Sequence, residues 1–129
     1  LIQMFEGCKL KACWDPTGKV WTIGFGHTKT AREGMEITIE KSYALFAEDV
    51  APLLALVAGK GIIEGAALVS FGYNCGAGAL KRLLAGEIDF TYGRTSGGKQ
   101  LPGLVARRAL EEALISAAHL DAKRIQEGG

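Results

Sequence analysis

Apolar residues recur along this chain with changing spacing, and each spacing marks a different kind of element. Leu1, Ile2 and Phe5 share one helical face, and Gly7 suits the end of that short helix. From Lys9 to Trp14 the period drops to two. Leu10, Ala12 and Trp14 alternate with Lys9, Lys11 and Cys13, the pattern of a half-buried strand. Asp15-Pro16-Thr17-Gly18 has type I turn chemistry, with proline second and glycine fourth, and Val20–Ile23 reads as the returning strand. Gly24 and Gly26 predict close backbone approach or an unusual dihedral on the way to His27.

From Thr38 onward the period is helical. Ile39, Tyr43, Phe46, Val50, Leu53, Leu54 and Val57 form one stripe, with Thr38 as N-cap. Pro52 inside that stripe predicts a kink or break near Val50–Ala51, and Gly59-Lys60-Gly61 ends the helix. A second apolar helix is expected over Ile63–Tyr73, stopping at Asn74-Cys75-Gly76. A short helix is expected over Gly78–Leu84, closed by Gly86. The breakers in Arg94–Gly98 predict a loop. After Pro102-Gly103 a last helix shows Ala106, Leu110, Ala113, Leu114 and Ala117 on one face. The polar tail after Leu120 lacks a core stripe and is expected to fray. The sum is an α+β chain, mostly α: a helical body of about 38–120 with a small antiparallel sheet lobe of about 9–37, in one domain spanning 1–129.

Composition sharpens this picture without redirecting it. A length of 129 residues suits one domain, and 48% hydrophobic residues with a mean hydropathy of +0.15 provide a packed core. The formal charge of +1, with no Lys/Arg cluster larger than pairs such as Lys81-Arg82 and Arg107-Arg108, gives no footprint for nucleic acid. Lys60 and Glu64 interrupt the longest apolar region, Val50–Phe71, so it reads as core and no stable membrane association is expected. Three cysteines, Cys8, Cys13 and Cys75, cannot all pair within one chain. They read as buried small hydrophobes, with a redox-switched disulfide as the alternative. His27 and His119 are isolated and no Cys-x2-Cys spacing exists, so neither a metal nor another cofactor is expected.

The candidate chemistry lies in Phe5–Thr28. Glu6 ends the first helix, where the negative end of the dipole disfavours a carboxylate charge. Asp15 follows nine residues on at a hairpin tip, and Thr22 opens the run Thr-Ile-Gly-Phe-Gly-His. Two carboxylates and a hydroxyl are the parts that acid-assisted cleavage of a glycosidic bond needs, with the acid lifted from about 4.3 toward 6. Each residue also has a plainer reading: Glu6 as the ion-pair partner of Arg107 or Arg108, Asp15 as a turn starter, Thr22 as an ordinary strand residue. His27 reads as a structural residue holding the sheet to the helical body. Arg107 and Arg108 precede Glu111 and Glu112 by four residues, so solvated helix pairs are expected, with one arginine reaching Glu6 as the sharper alternative.

With these residues in view, the chain resembles the phage-type lysozymes, the muramidase family of bacteriophage endolysins. The likeness rests on Glu6-Gly7 through Trp21–Thr28, on Ile37-Thr38 through Asp49-Val50, on Leu68–Gly76 and on Gly97–Arg108. It implies a lysozyme-like fold and catalytic roles for Glu6, Asp15 and Thr22, with Thr28 and Tyr73 lining the sugar groove. It also implies hydrolysis of the β-1,4 bond between N-acetylmuramic acid and N-acetylglucosamine, on the glycan strand of peptidoglycan. The setting would be a phage or prophage product made in the bacterial cytoplasm, acting as a monomer on the wall in the periplasm. Six residues separate Asp15 from Thr22, one more than the usual arrangement, and Ala79–Gly98 is shorter than its usual counterpart. Those departures leave open a non-catalytic module that binds peptidoglycan or a partner; a second alternative is a lytic transglycosylase, which needs only the acid, though Asp15 and Thr22 argue for hydrolysis.

Overall fold

The computed structural model describes the backbone of residues 1–96 and 99–128, and side chains through residue 120 (residue 96 excepted) and at Lys123. The chain opens with a one-turn helix, α1 (Ile2–Glu6), ended by Gly7 at a φ of 66°. The antiparallel hairpin β1 (Lys9–Asp15) and β2 (Val20–Gly24) follows. Four helices make the body: α2 (Ile39–Leu56), α3 (Ile62–Cys75), α4 (Ala77–Leu84) and α5 (Pro102–Gly128). Between the last two lies a miniature ladder, β3 (Thr95–Ser96) with β4 (Lys99–Gln100). The expected loop over Arg94–Gly98 is therefore half right, because two residues on each side pair; residues 97–98 between them lie outside the described residues.

The helix in the middle of the body is α3, which packs against α2, α4 and α5. Its stretch from Ala67 to Gly72 is buried throughout. Val50 and Leu53 of α2, with Val57 just beyond its end, meet Leu68, Val69 and Phe71 of α3 and Ala79 and Leu80 of α4 in one core. Gly72 makes this approach possible. A Cβ there would lie 2.8 Å from Leu53 Cδ2 and 2.9 Å from Leu80 Cδ2, closer than packed carbon atoms tolerate.

Helix α2 corrects two expectations. It runs unbroken through Pro52, whose exposed ring faces solvent, so the missing N–H leaves one helical bond unmade without a break. Only part of its apolar stripe is buried: Ile39, Tyr43 and Leu54 are exposed, whereas Leu45 and Ser42 are buried. Thr38 caps the helix as expected, with Oγ1 accepting from Lys41 N–H at 3.1 Å.

Helix α5 departs further. Ala106, Ala113 and Ala117 are exposed and Leu110 and Leu114 are half-buried, while Arg107, Arg108 and Glu111 are buried. The charged side of the helix, not the small apolar one, faces α3. The helix also continues to Gly128 where fraying is expected; the side chains of that tail, apart from Lys123, lie outside the described residues.

The hairpin pairs Cys13 with Thr22, Trp14 with Trp21 and Asp15 with Val20, and its register is irregular between Lys9 and Cys13. Its other edge is covered by residues 35–37. Ala12 N–H donates to the Met35 carbonyl and Ile37 N–H to that of Leu10, each at 2.9 Å. In the closing loop the left-handed residue is Lys19 (φ 54°), not Gly18. Leu10 and Trp14 are exposed, so the half-buried face expected of β1 does not form.

Candidate active site

Three depressions of the surface are linked by shared lining residues. The middle one, of about 300 Å³, is lined by Glu6, Lys9, Trp14, Asp15, Pro16, Thr22, Gly24 and Gly26. It shares Asp15 with a space of about 720 Å³ that reaches Asn74, Cys75, Arg94 and Leu104. At its other end it shares Gly26 with a space of about 420 Å³ lined by Thr28, Asp49 and Tyr73. Glu6, Asp15 and Thr22 thus face a single cleft, and Thr28 and Tyr73 border its continuation.

Glu6 reaches the cleft because α1 ends there. The backbone at Gly26 comes so close that a Cβ would lie 2.9 Å from Glu6 Oε2, and its φ of 83° also suits glycine. The other carboxylate oxygen, Oε1, accepts from Arg107 Nη1 at 2.6 Å. Arg107 is itself fixed from three sides: its Nε donates to Ser70 Oγ at 3.3 Å, its Nη2 to the Ser70 carbonyl at 3.0 Å, and its guanidinium stacks over Phe5 at 4.9 Å. An ion pair to Glu6 is therefore present, and Arg107 is the arginine that makes it.

The rest of the buried cluster corrects the expected solvated pairs. Ser70 Oγ also hydrogen-bonds Glu111 Oε2, and Arg108 Nη2 donates to the same oxygen at 2.9 Å. Arg108 Nε and Glu111 Oε1 lie 2.6 Å apart but off the line a hydrogen bond requires, so that contact is ionic and undirected. Burial pushes the Glu111 carboxyl up from its ordinary range, against the opposing pull of Ser70 and the two arginines. Arg108 further donates to Asn74 Oδ1 at 3.0 Å, touches the Cys75 sulfur and lies over the Phe71 ring. Glu112 is exposed.

Asp15 and Thr22 are held more locally. Asp15 Oδ1 accepts from Thr17 N–H at 3.0 Å, the turn-starting bond its position suggests, while its side chain also lines the cleft. The Thr22 hydroxyl donates across the hairpin to the Cys13 carbonyl at 3.3 Å. The six-residue interval between the two is absorbed in the loop around Lys19, and both side chains still line the same space.

His27 is buried, and its Nδ1 lies 2.7 Å from Asp49 Oδ2. Thr30 N–H can only donate, and it points at Nε2 from 3.2 Å. That makes Nε2 the acceptor and leaves Nδ1–H to donate to Asp49. The ring therefore ties the segment after β2 to α2. Tyr73 donates to the Phe25 carbonyl at 2.5 Å, and burial followed by the nearby Asp49 and Glu6 charges drives its hydroxyl far above its ordinary range. Thr28 is exposed beside it.

Sequence reasoning missed Asp49, Ser70 and the burial of Glu111. A polar residue in each apolar helical stripe was the available signal. The cysteines are all free, but Cys8 is exposed and Cys13 and Cys75 are half-exposed, against the expected burial. Among the described residues there is no group of three His, Cys, Asp or Glu side chains that would hold a metal, and no helix long and apolar enough to cross a membrane.

A family model described as phage lysozyme matches residues 3–111. An endolysin of Acyrthosiphon pisum secondary endosymbiont phage 1 is 32% identical over 138 aligned positions, covering 92% of this chain and 94% of that protein. An endolysin of Bacillus phage PZA is 35% identical across 91% of this chain, which spans only 52% of that longer relative. Among solved structures, the endolysin of Escherichia coli O157:H7 phage FAHEc1 superposes with a TM-score of 0.70 at 31% identity, covering 88% of this chain and 87% of that one. The muramidase domain of SpmX from Asticaccaulis excentricus gives 0.68 at 30%, covering 88% and 90%.

Proposed function

The chain belongs to the phage lysozyme family, and on that footing we propose that it is a muramidase, cleaving the β-1,4 bond between N-acetylmuramic acid and N-acetylglucosamine in peptidoglycan. The observation that carries this reading is the single cleft lined by Glu6, Asp15 and Thr22. Glu6 gives its proton to the bridging oxygen as the sugar C1 acquires oxocarbenium character. Arg107 orients that carboxyl through Oε1, which leaves Oε2, beside the glycine backbone at position 26, to face the bond being cut. Asp15, on the hairpin, stabilises the positive charge or orients the attacking water, and the Thr22 hydroxyl helps hold that water. Thr28 and Tyr73 border the neighbouring sugar position, while His27 supports that wall.

In this reading the sheet lobe (about 9–37) and the helical lobe (about 38–120) form one domain that works as a monomer and requires no metal or cofactor. The protein is made in a bacterial host from a phage or prophage gene and acts on the wall from the periplasm, ending in lysis. The test is clearing of outer-membrane-permeabilised Gram-negative cells by wild type and Glu6→Gln. Removing the proton and little else should lower the rate by at least about 100-fold with an unchanged thermal melt. Clearing by Glu6→Gln at the wild-type rate overturns the assignment. Mass spectrometry of the released muropeptides must show reducing ends; anhydro ends would replace hydrolysis by transglycosylation.

A further inference from the structure

The middle cleft contains one large side chain with no part in the chemistry above. Trp14 lines it between Lys9 and Asp15, yet is 50% exposed on a strand whose alternation would bury it. Leaving half an indole in water is unfavourable for folding by itself. Its orientation is fixed all the same: Trp21, its cross-strand neighbour, meets it edge-on with ring centroids 5.5 Å apart at 64°. The remaining lining is suited to a hydroxyl-rich ligand. Glu6 and Asp15 offer carboxylates, Thr22 a hydroxyl, and Gly26 backbone with no side chain of its own, with Lys9 the one cation of this lining.

We propose that Trp14 is a stacking platform for one N-acetylhexosamine ring of the glycan strand, next to the bond being cut; this rests on the muramidase reading. A β-linked hexosamine has equatorial substituents and therefore presents a flat face of axial C–H groups. That face matches an indole which is apolar, exposed and held in place. The adjacent Asp15 and Thr22 then meet the polar edge of the same sugar. Trp14 is a binding residue and takes no part in proton transfer, so its loss acts on affinity and spares the chemical step.

Only two tryptophans are present, so Trp21→Phe leaves Trp14 as the sole indole reporter. Titrating that variant with a soluble N-acetylglucosamine oligomer should shift and saturate the emission. Trp14→Ala should weaken oligomer binding and raise KM on peptidoglycan by about ten-fold, the scale of one good aromatic contact, with kcat within about two-fold. Trp14→Phe, which keeps a smaller face, should recover most of that loss, whereas a merely structural role would show as a lowered melt and a lowered kcat. An unmoved Trp14 emission at saturating oligomer, or an unchanged KM and Kd in Trp14→Ala, overturns the platform. A clear emission shift in a protein that cleaves nothing retains the platform and removes the muramidase reading instead. Cleavage with a silent Trp14 does the reverse.

Discussion

The two banks of the cleft are built in opposite ways. On one bank Glu6 is tied to Arg107, 101 positions away in sequence, and Arg107 is anchored on the buried Ser70 and stacked on Phe5. Behind it stand Arg108 and Glu111, both fully buried. On the other bank Asp15 and Thr22 sit on a two-stranded hairpin, each held by one bond to a residue no more than nine positions distant, with Trp14 exposed beside them. In the proposed mechanism the acid profits from a fixed direction, which a dense buried network supplies. A carboxylate facing water and a sugar profits from solvent and some freedom, which a hairpin supplies. Stability and activity should therefore be separable between the banks.

The largest effect expected on the buried bank is from Arg108→Met. It leaves the Glu111 charge buried with a lost partner and should lower unfolding free energy by about 3–5 kcal/mol, read from urea melts. Next, on the open bank, Asp15→Asn should reduce clearing by roughly 100-fold while moving the melt little, since only one exposed turn bond changes. An equal loss of stability in Asp15→Asn would break the contrast. Gly72→Ala, where α3 meets α2 and α4, should cost about 1–3 kcal/mol, because Leu53 and Leu80 already occupy the space a methyl needs.

The smallest effect concerns pH. Burial raises the Glu111 carboxyl above its ordinary 4.5, so the folded chain holds that proton more tightly than the unfolded chain. The contribution is complete below about pH 4.5 and is lost as pH rises through the folded value. Relative to Glu111→Gln, which does not titrate, wild type should thus lose stability as pH rises above that point. A difference that grows with pH would mean that the arginines outweigh burial.

Local signals were legible in the sequence where they are purely local. Gly7, Gly76 and Gly86 mark helix ends, Thr38 caps α2, and the hairpin follows from its alternation and turn. The face of α5 was not legible. A stripe of Ala and Leu outscored Arg107, Arg108 and Glu111 by hydropathy, although the two arginines are matched by Glu111 and Glu6, with Ser70 and Asn74 hydrogen-bonded to the same cluster. Such pairing is a property of two distant segments, invisible to any window along one. For the candidate site, the sequence offered the spacing of Glu6, Asp15 and Thr22, three residues that line one cleft in the fold. Its geometry depended on that same long-range pairing.

The central claim is that groups from both banks act together on one bond, and a double-mutant cycle in initial clearing rates tests it most directly. If Glu6 and Asp15 serve one transition state, Glu6→Gln/Asp15→Asn should be no more than about three-fold slower than the worse single variant, because residues acting as a unit are non-additive. Losses that multiply, or a Glu6→Gln variant that clears cells as wild type does, would contradict it.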